Sequence, residues 1–592
     1  MKKILSLLST LAVIGGSTLT VMSCKGRAAN EIYVQTNQKW MPMYKKAAEA
    51  VNKSFEQRGY DWKIRLKEID FFQEKDLIDQ RGVKDKGISD IFTFPLDQYP
   101  KYVNQNTLKD LTEYIKNDLV KTKEDSERFG LEIDKSKQGI EGIKVKDNVN
   151  SWTSARVTNL EGKEIYGMIP MSVENLLWVF NKDRVGVEKE SDGQGNSFSY
   201  LVGSEVDKVS NLDKWGKEGV PEKAQGKPKA SIENLAKLNL NQKNNYEFED
   251  GKEREDTSKG APLVYMDAGN AFYGGTFLNS ILNNREEEIK ELKADFATPG
   301  MVWINKGAKA NTTTKADFDS IWENKKFEAD FNEATDTIVD FVKSFGKHIE
   351  TIYGGASGQI GQIIEDALKD GTTAMSLIGP WEVSSKLEIM KKAEKNAGST
   401  NYGFASIGDI TFGSQNRKLT GFAGGFGRGV KSTIANRVSK SEKDGSELSK
   451  TQAAVEFINE ISKEEYATEL AFADGKISAY KKVADNIVKE LEEGKNVKPA
   501  SGSRTQTDVD AEKENRKLIG GAYKAIIDGY GKTGKNADVA PRANNELFGI
   551  YWGSYATAFG STFNKKQNRE GEKFHQIFRS TYKQEKDRYR FH

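Results

Sequence analysis

Ile32-Tyr33-Val34 is a short apolar run near the start of the chain, and the polar residues Gln35-Thr36-Asn37-Gln38 follow it. Such a run predicts a buried strand that ends in a polar loop. Apolar residues then recur at steps of three and four, the spacing of one helix face, at Trp40, Tyr44, Ala47, Val51 and Phe55. Gly59 ends that pattern, and an alternating strand pattern follows at Trp62, Ile64 and Leu66. Strand, helix and strand within about 35 residues predict a βαβ unit and a parallel sheet covered by helices.

Similar patterns continue along the chain. Residues 88–94 predict a third strand, residues 165–180 a β-rich stretch, and residues 373–378 a strand that Gly379-Pro380 ends. Helical spacing returns within residues 331–345, 360–368, 453–461 and 464–472 and over much of the last hundred residues. Residues 187–260 are polar and rich in Gly, Ser, Asn, Lys and Glu, which predicts a surface insertion.

The composition narrows the class of protein. The chain has 592 residues, with 89 Lys and Arg against 87 Asp and Glu, so the net charge is only +2. This length allows two large lobes or three to four domains, and this charge provides no basic surface suited to nucleic acid. One cysteine excludes a disulfide framework, and three histidines leave little for metal or acid–base chemistry.

The first residues resemble a secretory signal. Lys2-Lys3 is followed by a mostly apolar stretch, residues 4–22, that ends in Val21-Met22-Ser23-Cys24. This ending is similar to a bacterial lipobox, which implies cleavage before Cys24 and a diacylglyceryl group on its sulfur. Two acyl chains would hold the protein stably at the outer face of the cytoplasmic membrane. The alternative is an uncleaved transmembrane helix.

The clustered glycines Gly421, Gly424, Gly425, Gly427 and Gly429 do not form a phosphate-binding loop. Val430 stands where such a loop has its lysine, so the cluster predicts a glycine-rich strand instead. No local signature of a metalloprotease, a redox pair or a nucleophile elbow is present either.

Two stretches place an acid beside aromatic residues. Phe94-Pro95-Leu96-Asp97-Gln98-Tyr99 follows a predicted strand, at the end where open α/β sheets bind ligands. The second stretch, residues 166–180, contains one acid, Glu174, within a very apolar run. A buried carboxylate is costly unless it has a partner. Each acid is therefore either a ligand contact or a structural cap or ion-pair member.

Five blocks taken in order resemble the family 1 extracellular solute-binding proteins of ABC importers, the family of the maltodextrin-binding protein. The Asp90–Asp97 block and the Glu161–Glu174 block, the latter with Asn181-Lys182-Asp183 after it, contain the two acids. The other blocks are Gly371–Trp381, Ala453–Ala479 and Phe548–Trp552.

The resemblance implies a two-lobed α/β fold of the periplasmic-binding-protein type (type II), with a ligand cleft between lobes whose sheets are mostly parallel. We expect the N-terminal lobe to combine residues 31–173 and 427–490, and the C-terminal lobe to combine 177–420 and 491–592. The signal would occupy residues 1–23, the lipid-anchored tether 24–30, and the insertion 187–260 would belong to the C-terminal lobe.

The resemblance also implies site residues. Asp97 and Glu174 correspond to carboxylates that accept hydrogen bonds from sugar hydroxyls, and Trp381 and Trp552 correspond to aromatic platforms. Asn37 belongs to the polar loop after the first strand, while Phe94 and Tyr273 are further candidates. Gln98 and Val383 depart from the family pattern, which leaves the particular sugar open.

The predicted function is that of a monomeric, membrane-anchored protein that captures a carbohydrate by hinge closure and delivers it to a permease with separate ATPase subunits. No catalysis and no cofactor are predicted. Three alternatives stay open: a cationic ligand such as a polyamine, a surface glycosidase, and an adhesin that uses the insertion. Acids between aromatic walls suit a cation as well as a sugar.

Overall fold

The computed structural model describes most of the chain, and several segments lie outside it. The described residues are 27–147, 149–158, 163–245, 261–282, 302–304, 318–346, 348–353, 359–392, 401–495, 497, 499–500, 504–531, 538–540, 548–563 and 572–588. The predicted signal, Cys24 and residues 246–260 of the predicted insertion therefore lie outside the described part. Within that part, no helix combines the length and the apolar character that a membrane crossing requires.

The predicted βαβ unit is present. Strand β1, Glu31–Thr36, pairs in parallel along its whole length with β2, Lys63–Glu68. Helix α1, Met41–Arg58, connects them and buries the face that carries Tyr44 and Phe55. Gly59 ends the helix with a φ of 81°, a left-handed conformation that glycine adopts without strain.

A five-stranded sheet contains this unit. Strand β3, Ile91–Pro95, runs parallel to β1 on the side away from β2. The glycine-rich strand Phe426–Val430 then pairs antiparallel with both β3 and Met168–Pro170. Glycines on this strand leave space for neighbouring rings, since a Cβ on Gly427 would lie 2.7 Å from the Tyr99 hydroxyl.

A four-stranded sheet follows the order Val264–Tyr265, Met375–Ile378, Leu177–Asn181, Tyr402–Ser406. Only the first pair is parallel, and the other two pairs are antiparallel. Both sheets are thus mixed, and the expectation of mostly parallel sheets is not confirmed. The reason is connectivity: Leu177–Asn181 and Phe426–Val430 enter their sheets directly from chain segments that connect the two sheets, without a helical crossover.

These connecting segments lie side by side. Ser172–Val173 pairs antiparallel with Ile477–Ser478, and Gly421–Phe422 pairs in parallel with Val539–Ala540. Between these two pairs, Glu174 and Gly424 exchange two backbone hydrogen bonds of 3.0 Å. Chain segments distant in sequence therefore meet at Glu174.

The predicted insertion is folded as far as residue 245, which the polar composition did not indicate. Gly186–Ser191 and Ser197–Val202 form an antiparallel hairpin, and helix Ile232–Asn245 follows. Leu201 and Leu235 are buried in the main hydrophobic core, so a few apolar residues attach this region to the rest of the protein. The core is a large cluster that contacts both sheets, with a smaller cluster around Phe92 and Phe94.

The helical segments predicted at residues 331–345, 360–368, 453–461 and 464–472 are present, and several further helices were not predicted. Helix α2 spans Phe71–Arg81. The other helices span Tyr99–Asn104, Thr112–Tyr114, Lys123–Phe129, Val149–Ala155, Ser204–Asp207, Ala271–Asn279, Glu328–Lys343, His348–Tyr353, Gln359–Lys369, Val383–Lys392, Lys450–Ile461, Glu464–Asp474, Lys481–Glu492, Gln506–Gly531, Phe548–Phe563 and Phe574–Arg588. Further short strand pairs are Leu131–Ile133 with Ile143–Val145, Arg156–Thr158 with Glu164–Tyr166, Val302–Ile304 with Phe318–Ser320, Thr411–Phe412 with Arg417–Lys418, and Val438–Lys440 with Glu447–Ser449.

Candidate functional site

Glu174 lies on the segment that connects Met168–Pro170 of one sheet to Leu177–Asn181 of the other. Its Oε1 accepts a hydrogen bond of 2.6 Å from Nζ of Lys476, and both side chains are almost fully buried. The Lys476 ammonium also lies 4.0 Å from the centroid of the Phe426 ring. Glu174, the one acid of the apolar stretch 166–180, therefore has a cationic partner. The charge pattern of the sequence did not reveal this partner because 302 residues separate the two.

Two glycines allow the connecting segments to meet at Glu174. Gly425 has a φ of +140°, and a Cβ there would lie 2.0 Å from the carbonyl oxygen of Ser172. A Cβ on Gly424 would lie 2.7 Å from the Glu174 carbonyl oxygen and 3.2 Å from the Phe272 ring. Because no side chain fits at either position, the backbone at Gly424 and Gly425 packs directly against Ser172, Glu174 and the Phe272 ring.

Tyr273 is placed by the helix Ala271–Asn279, whose first turn is capped by the side chain of Asn270. The Tyr273 hydroxyl donates a hydrogen bond of 2.7 Å to Oε2 of Glu382, and the same oxygen accepts the backbone N–H of Gly379 at 3.1 Å. Burial and the negative charge of Glu382 hold the pKa of Tyr273 well above its ordinary value. The Tyr273 hydroxyl and the Glu382 carboxylate thus form a hydrogen-bonded pair, in which the hydroxyl proton of Tyr273 is already donated to Glu382.

Trp381 lies in the turn that follows Met375–Ile378, and it is the exposed aromatic ring of this region. Its side chain is 41% exposed, and its ring centroid lies 6.0 Å from that of Phe272. Phe272 stacks against Phe422 at 6.1 Å, and Phe422 lies 5.7 Å from Trp552. The four rings form a continuous row, which we call the aromatic row: Trp381, Phe272, Phe422 and Trp552.

A second group of rings meets Lys476 through the ring of Phe426, and the sequence reasoning did not identify it. Phe71 lies 4.8 Å from Phe426, 4.3 Å from Phe72 and 6.2 Å from Trp40, measured between ring centroids. Phe72 is 56% exposed. The available signal was that two adjacent rings, Phe71-Phe72, come shortly after strand β2, near the strand end where open α/β sheets bind ligands.

Asn37 has a structural position next to this second group. Its Oδ1 accepts the backbone N–H of Trp40 at 3.0 Å, which shapes the entry to α1. The Trp40 indole N–H in turn donates to Oδ2 of Asp474 at 3.0 Å.

Phe94 requires a correction, because its side chain is 0% exposed and cannot contact a ligand in this structure. Its ring packs between Phe92 at 4.8 Å and Tyr102 at 4.7 Å. Residues two apart on a strand share one face, and helix Tyr99–Asn104 covers the face that carries Phe92 and Phe94.

Asp97 lies in a single turn of 3-10 helix, Leu96–Gln98, and its side chain is outside the described part of the structure. The preceding residue, Leu96, donates its backbone N–H to Gly425 at 2.9 Å. The turn also contacts helix Phe548–Phe563, which carries Trp552. The backbone of Asp97 is therefore close to the segment that holds Glu174 and to the helix that carries Trp552.

Asp267 is a further acid that the sequence reasoning missed. It comes two residues after Val264–Tyr265, which is the parallel neighbour of the strand that leads to Trp381. Burial raises the pKa of Asp267 to about 6, and the negative charge of Glu382 acts in the same direction. The carboxyl ends of parallel strands share one edge, so the rule that singled out Asp97 also applies to Asp267.

The region therefore combines exposed and half-buried rings with carboxylates and one buried cation. Of the predicted residues, Glu174, Tyr273, Trp381 and Trp552 come together around Phe272 and Phe422. Among the residues that the structure describes, no three His, Cys, Asp or Glu side chains are grouped as a metal site. The arrangement can stack a flat apolar face and accept hydrogen bonds beside it.

The sequence matches no protein-family model and no curated protein. Solved structures do match over nearly the whole chain. The maltose-binding periplasmic protein MalE of Listeria monocytogenes, in complex with maltose, is 13% identical, with a TM-score of 0.51 over 95% of this chain and 100% of that chain. A cyclo/maltodextrin-binding protein complexed with maltotetraose is 12% identical, with a TM-score of 0.51 over 96% and 98%. The chain therefore has the fold of the maltodextrin-binding solute-binding proteins, as its sequence blocks predicted.

Proposed function

We propose that this protein binds a carbohydrate at the aromatic row and delivers it to an ABC permease whose ATPase subunits are separate chains. The observation that carries the proposal is the Trp381 indole, which is 41% exposed, begins the aromatic row and is followed directly by Glu382. An exposed ring that continues into a row of further rings beside carboxylates is the kind of contiguous apolar surface, bordered by polar groups, that marks a ligand-binding groove.

The chemistry of a sugar matches this arrangement. A pyranose has an apolar face of C–H groups and a rim of hydroxyls, so it suits a flat indole beside hydrogen-bond acceptors. Glu382, Asp267 and Asp97 are the acids that we assign to the hydroxyls, and Trp552 offers a second ring along the row. The two solved structures that share the fold hold maltose and maltotetraose, which supports a carbohydrate as the ligand class.

A cationic ligand is the weaker candidate because two acids of the site, Glu174 and Glu382, already have positive partners. Lys476 lies 2.6 Å from Glu174, and Lys386 lies 3.7 Å from Glu382. A polyamine would have to compete with both lysines. Neither a glycosidase nor an adhesin is favoured by any contact described above, and we propose no catalytic step.

We further propose that the ligand is enclosed by movement of two lobes, one around each sheet. The strands of the five-stranded sheet come from residues 31–170 and 426–430, and those of the four-stranded sheet from 177–406. The short connecting segments at Glu174 and Gly424 would act as hinges. A ligand that contacts both lobes only in the closed form favours closure by population shift.

Isothermal titration calorimetry with maltose, maltotriose, maltotetraose and spermidine tests the proposal. We expect an oligosaccharide to bind, and Trp381→Ala to weaken its binding by about 10- to 100-fold, since a stacked indole contributes about 1–3 kcal/mol. Leu240→Ala, which removes another exposed apolar side chain on a distant helix, should leave the affinity unchanged. Binding of spermidine alone, or an unaltered affinity of Trp381→Ala for the sugar, would refute the assignment.

The proposed location rests on the sequence Val21-Met22-Ser23-Cys24. We propose that a diacylglyceryl group on Cys24 anchors the protein outside the cytoplasmic membrane. In cells that express the full chain, Cys24→Ser should move the protein from the membrane fraction to the soluble fraction and abolish labelling by a radioactive fatty acid. Continued membrane retention of the unlabelled variant would contradict lipid anchoring.

A further inference from the structure

A small cavity lies next to Lys476, the partner of Glu174, and Arg428 of the five-stranded sheet also lines it. Its volume is about 10 Å³, and its polar lining comes from Arg428, Lys476, Ser462, Ser478 and Tyr480. A cavity of this size holds one water molecule or one monatomic ion.

Arg428 is the unusual member of this lining. It occupies the middle of the strand Phe426–Val430 and is only 2% exposed. Its Nε–H donates to the Tyr44 hydroxyl and one Nη1–H donates to Oγ of Ser462, each at 3.2 Å. The Ser462 hydroxyl itself donates to the carbonyl of Ile458, so it faces the guanidinium with a lone pair. Three of the five guanidinium N–H groups remain for another acceptor.

No carboxylate of the described residues pairs with Arg428. The neighbouring acid, Glu174, is held by Lys476 at 2.6 Å. The cavity wall therefore carries two positive charges, while one negative charge lies beside it, and the excess positive charge is buried. A buried charge without a counter-charge is strongly unfavourable, so proteins pair such groups or bind an ion beside them.

We propose that this cavity binds one small monovalent anion of halide size, held by the free N–H groups of Arg428 and by the ammonium of Lys476. The anion would balance the excess charge and would lie next to Lys476, the partner of Glu174. The proposal does not depend on the proposed function, since it rests on the buried guanidinium, its missing carboxylate and the cavity.

Bromide is the probe for a direct test. Crystals of the protein grown or soaked in sodium bromide should show an anomalous difference peak in the cavity, within hydrogen-bond distance of the Arg428 guanidinium. Density for water alone, with anomalous peaks only at the surface, would overturn the proposal.

A solution test uses the full chain at constant ionic strength. Replacing sodium gluconate, whose anion is too large for the cavity, by sodium bromide or chloride should raise the melting temperature saturably. The expected rise is about 1 °C for each tenfold excess of halide over its dissociation constant, given the length of the chain. Equal melting temperatures in halide and gluconate would count against the site.

Two variants localise the effect. Arg428→Met removes the cation and should abolish the difference between halide and gluconate. Arg437→Met is the matched control, because Arg437 pairs with Asp61 near the surface and should not affect the halide response. A halide response that survives in Arg428→Met would refute the assignment, and if that variant does not fold, the anomalous map of the unaltered protein decides.

Discussion

Individual residues at the site are defined by their partners more than by their own chemistry. The carboxylate of Glu174 is buried beside Lys476, and removing one ion of such a pair leaves the other without compensation. Tyr273 is tied to Glu382, and Asn37 to the start of α1. Among the aromatic residues that the sequence predicted as ligand contacts, Trp381 is the most exposed, which is why the main binding test is directed at it.

Asp267 leads to a prediction about pH. Burial raises its pKa to about 6 in the folded protein, against an ordinary value of 3.8. Between these two pH values the folded protein retains a proton that the unfolded chain has lost, so the stability due to this group falls as the pH rises from about 4 to about 6. Asp267→Asn cannot ionise and should be more stable than the unaltered protein at pH 7, by roughly 2–3 kcal/mol.

Urea unfolding at pH 4 and pH 7 measures this difference. The advantage of Asp267→Asn should be present at pH 7 and should disappear towards pH 4. Asp485→Asn, which changes an exposed carboxylate paired with Lys481, should show no comparable dependence. An advantage of Asp267→Asn that is the same at both pH values would contradict the raised pKa.

At the scale of elements, the ends of helices and strands bring the two sides of the site together. Helix Glu464–Asp474 ends at Gly475, which has a φ of +61°. A Cβ on Gly475 would lie 2.5 Å from the Pro380 carbonyl oxygen and 3.0 Å from the Trp381 backbone nitrogen. The helix end that precedes Lys476 and the turn that carries Trp381 are therefore in direct backbone contact.

Gly475→Ala should force this contact apart. We expect a stability loss of about 1 kcal/mol from the left-handed conformation and, in addition, a sugar affinity reduced about tenfold or more because Trp381 is displaced. Gly494→Ala is the matched control: its φ is +62°, but its nearest neighbour would be a Lys513 side-chain atom at 3.4 Å. It should lose about 1 kcal/mol from the left-handed conformation alone, less than Gly475→Ala loses, and keep its affinity, as calorimetry and urea unfolding can show. If both variants bound the sugar with equal affinity, the backbone contact at Gly475 would not be needed for binding.

At the scale of the whole molecule, closure makes a prediction for the shape in solution. If an oligosaccharide contacts both lobes only in the closed form, saturating ligand should decrease the radius of gyration measured by small-angle X-ray scattering. Ligand at 100 times its dissociation constant should also add about 2.7 kcal/mol to the stability by mass action. Trp381→Ala at the same ligand concentration should show a smaller change in both. If calorimetry showed that the oligosaccharide binds but the radius of gyration did not change, a large closing movement of the two lobes would be excluded.

Much of the fold was predictable because it depends on local patterns. The apolar spacing of Trp40, Tyr44 and Phe55 predicted α1, and the residue alternation at Ile64 predicted β2, since burying one face of a helix or strand requires that periodicity. The mixed direction of the sheets was not predictable in this way. Strand direction depends on how the chain passes between the sheets, and periodicity does not contain that information.

The sequence alone predicted the βαβ unit and several later helices, and it showed that aromatic residues and acids follow the predicted strands. Only the tertiary structure decided the partners: it placed Lys476 beside Glu174, buried Phe94 and added Phe272 and Phe422 to the row. Among the residues that the structure describes, it gave Arg428 a tyrosine and a serine as partners and no carboxylate. The physical reason is the distance along the chain over which each property acts. Periodicity and strand ends are properties of neighbouring residues, whereas ion pairing and burial join residues that lie hundreds of positions apart and have no mark in either local sequence.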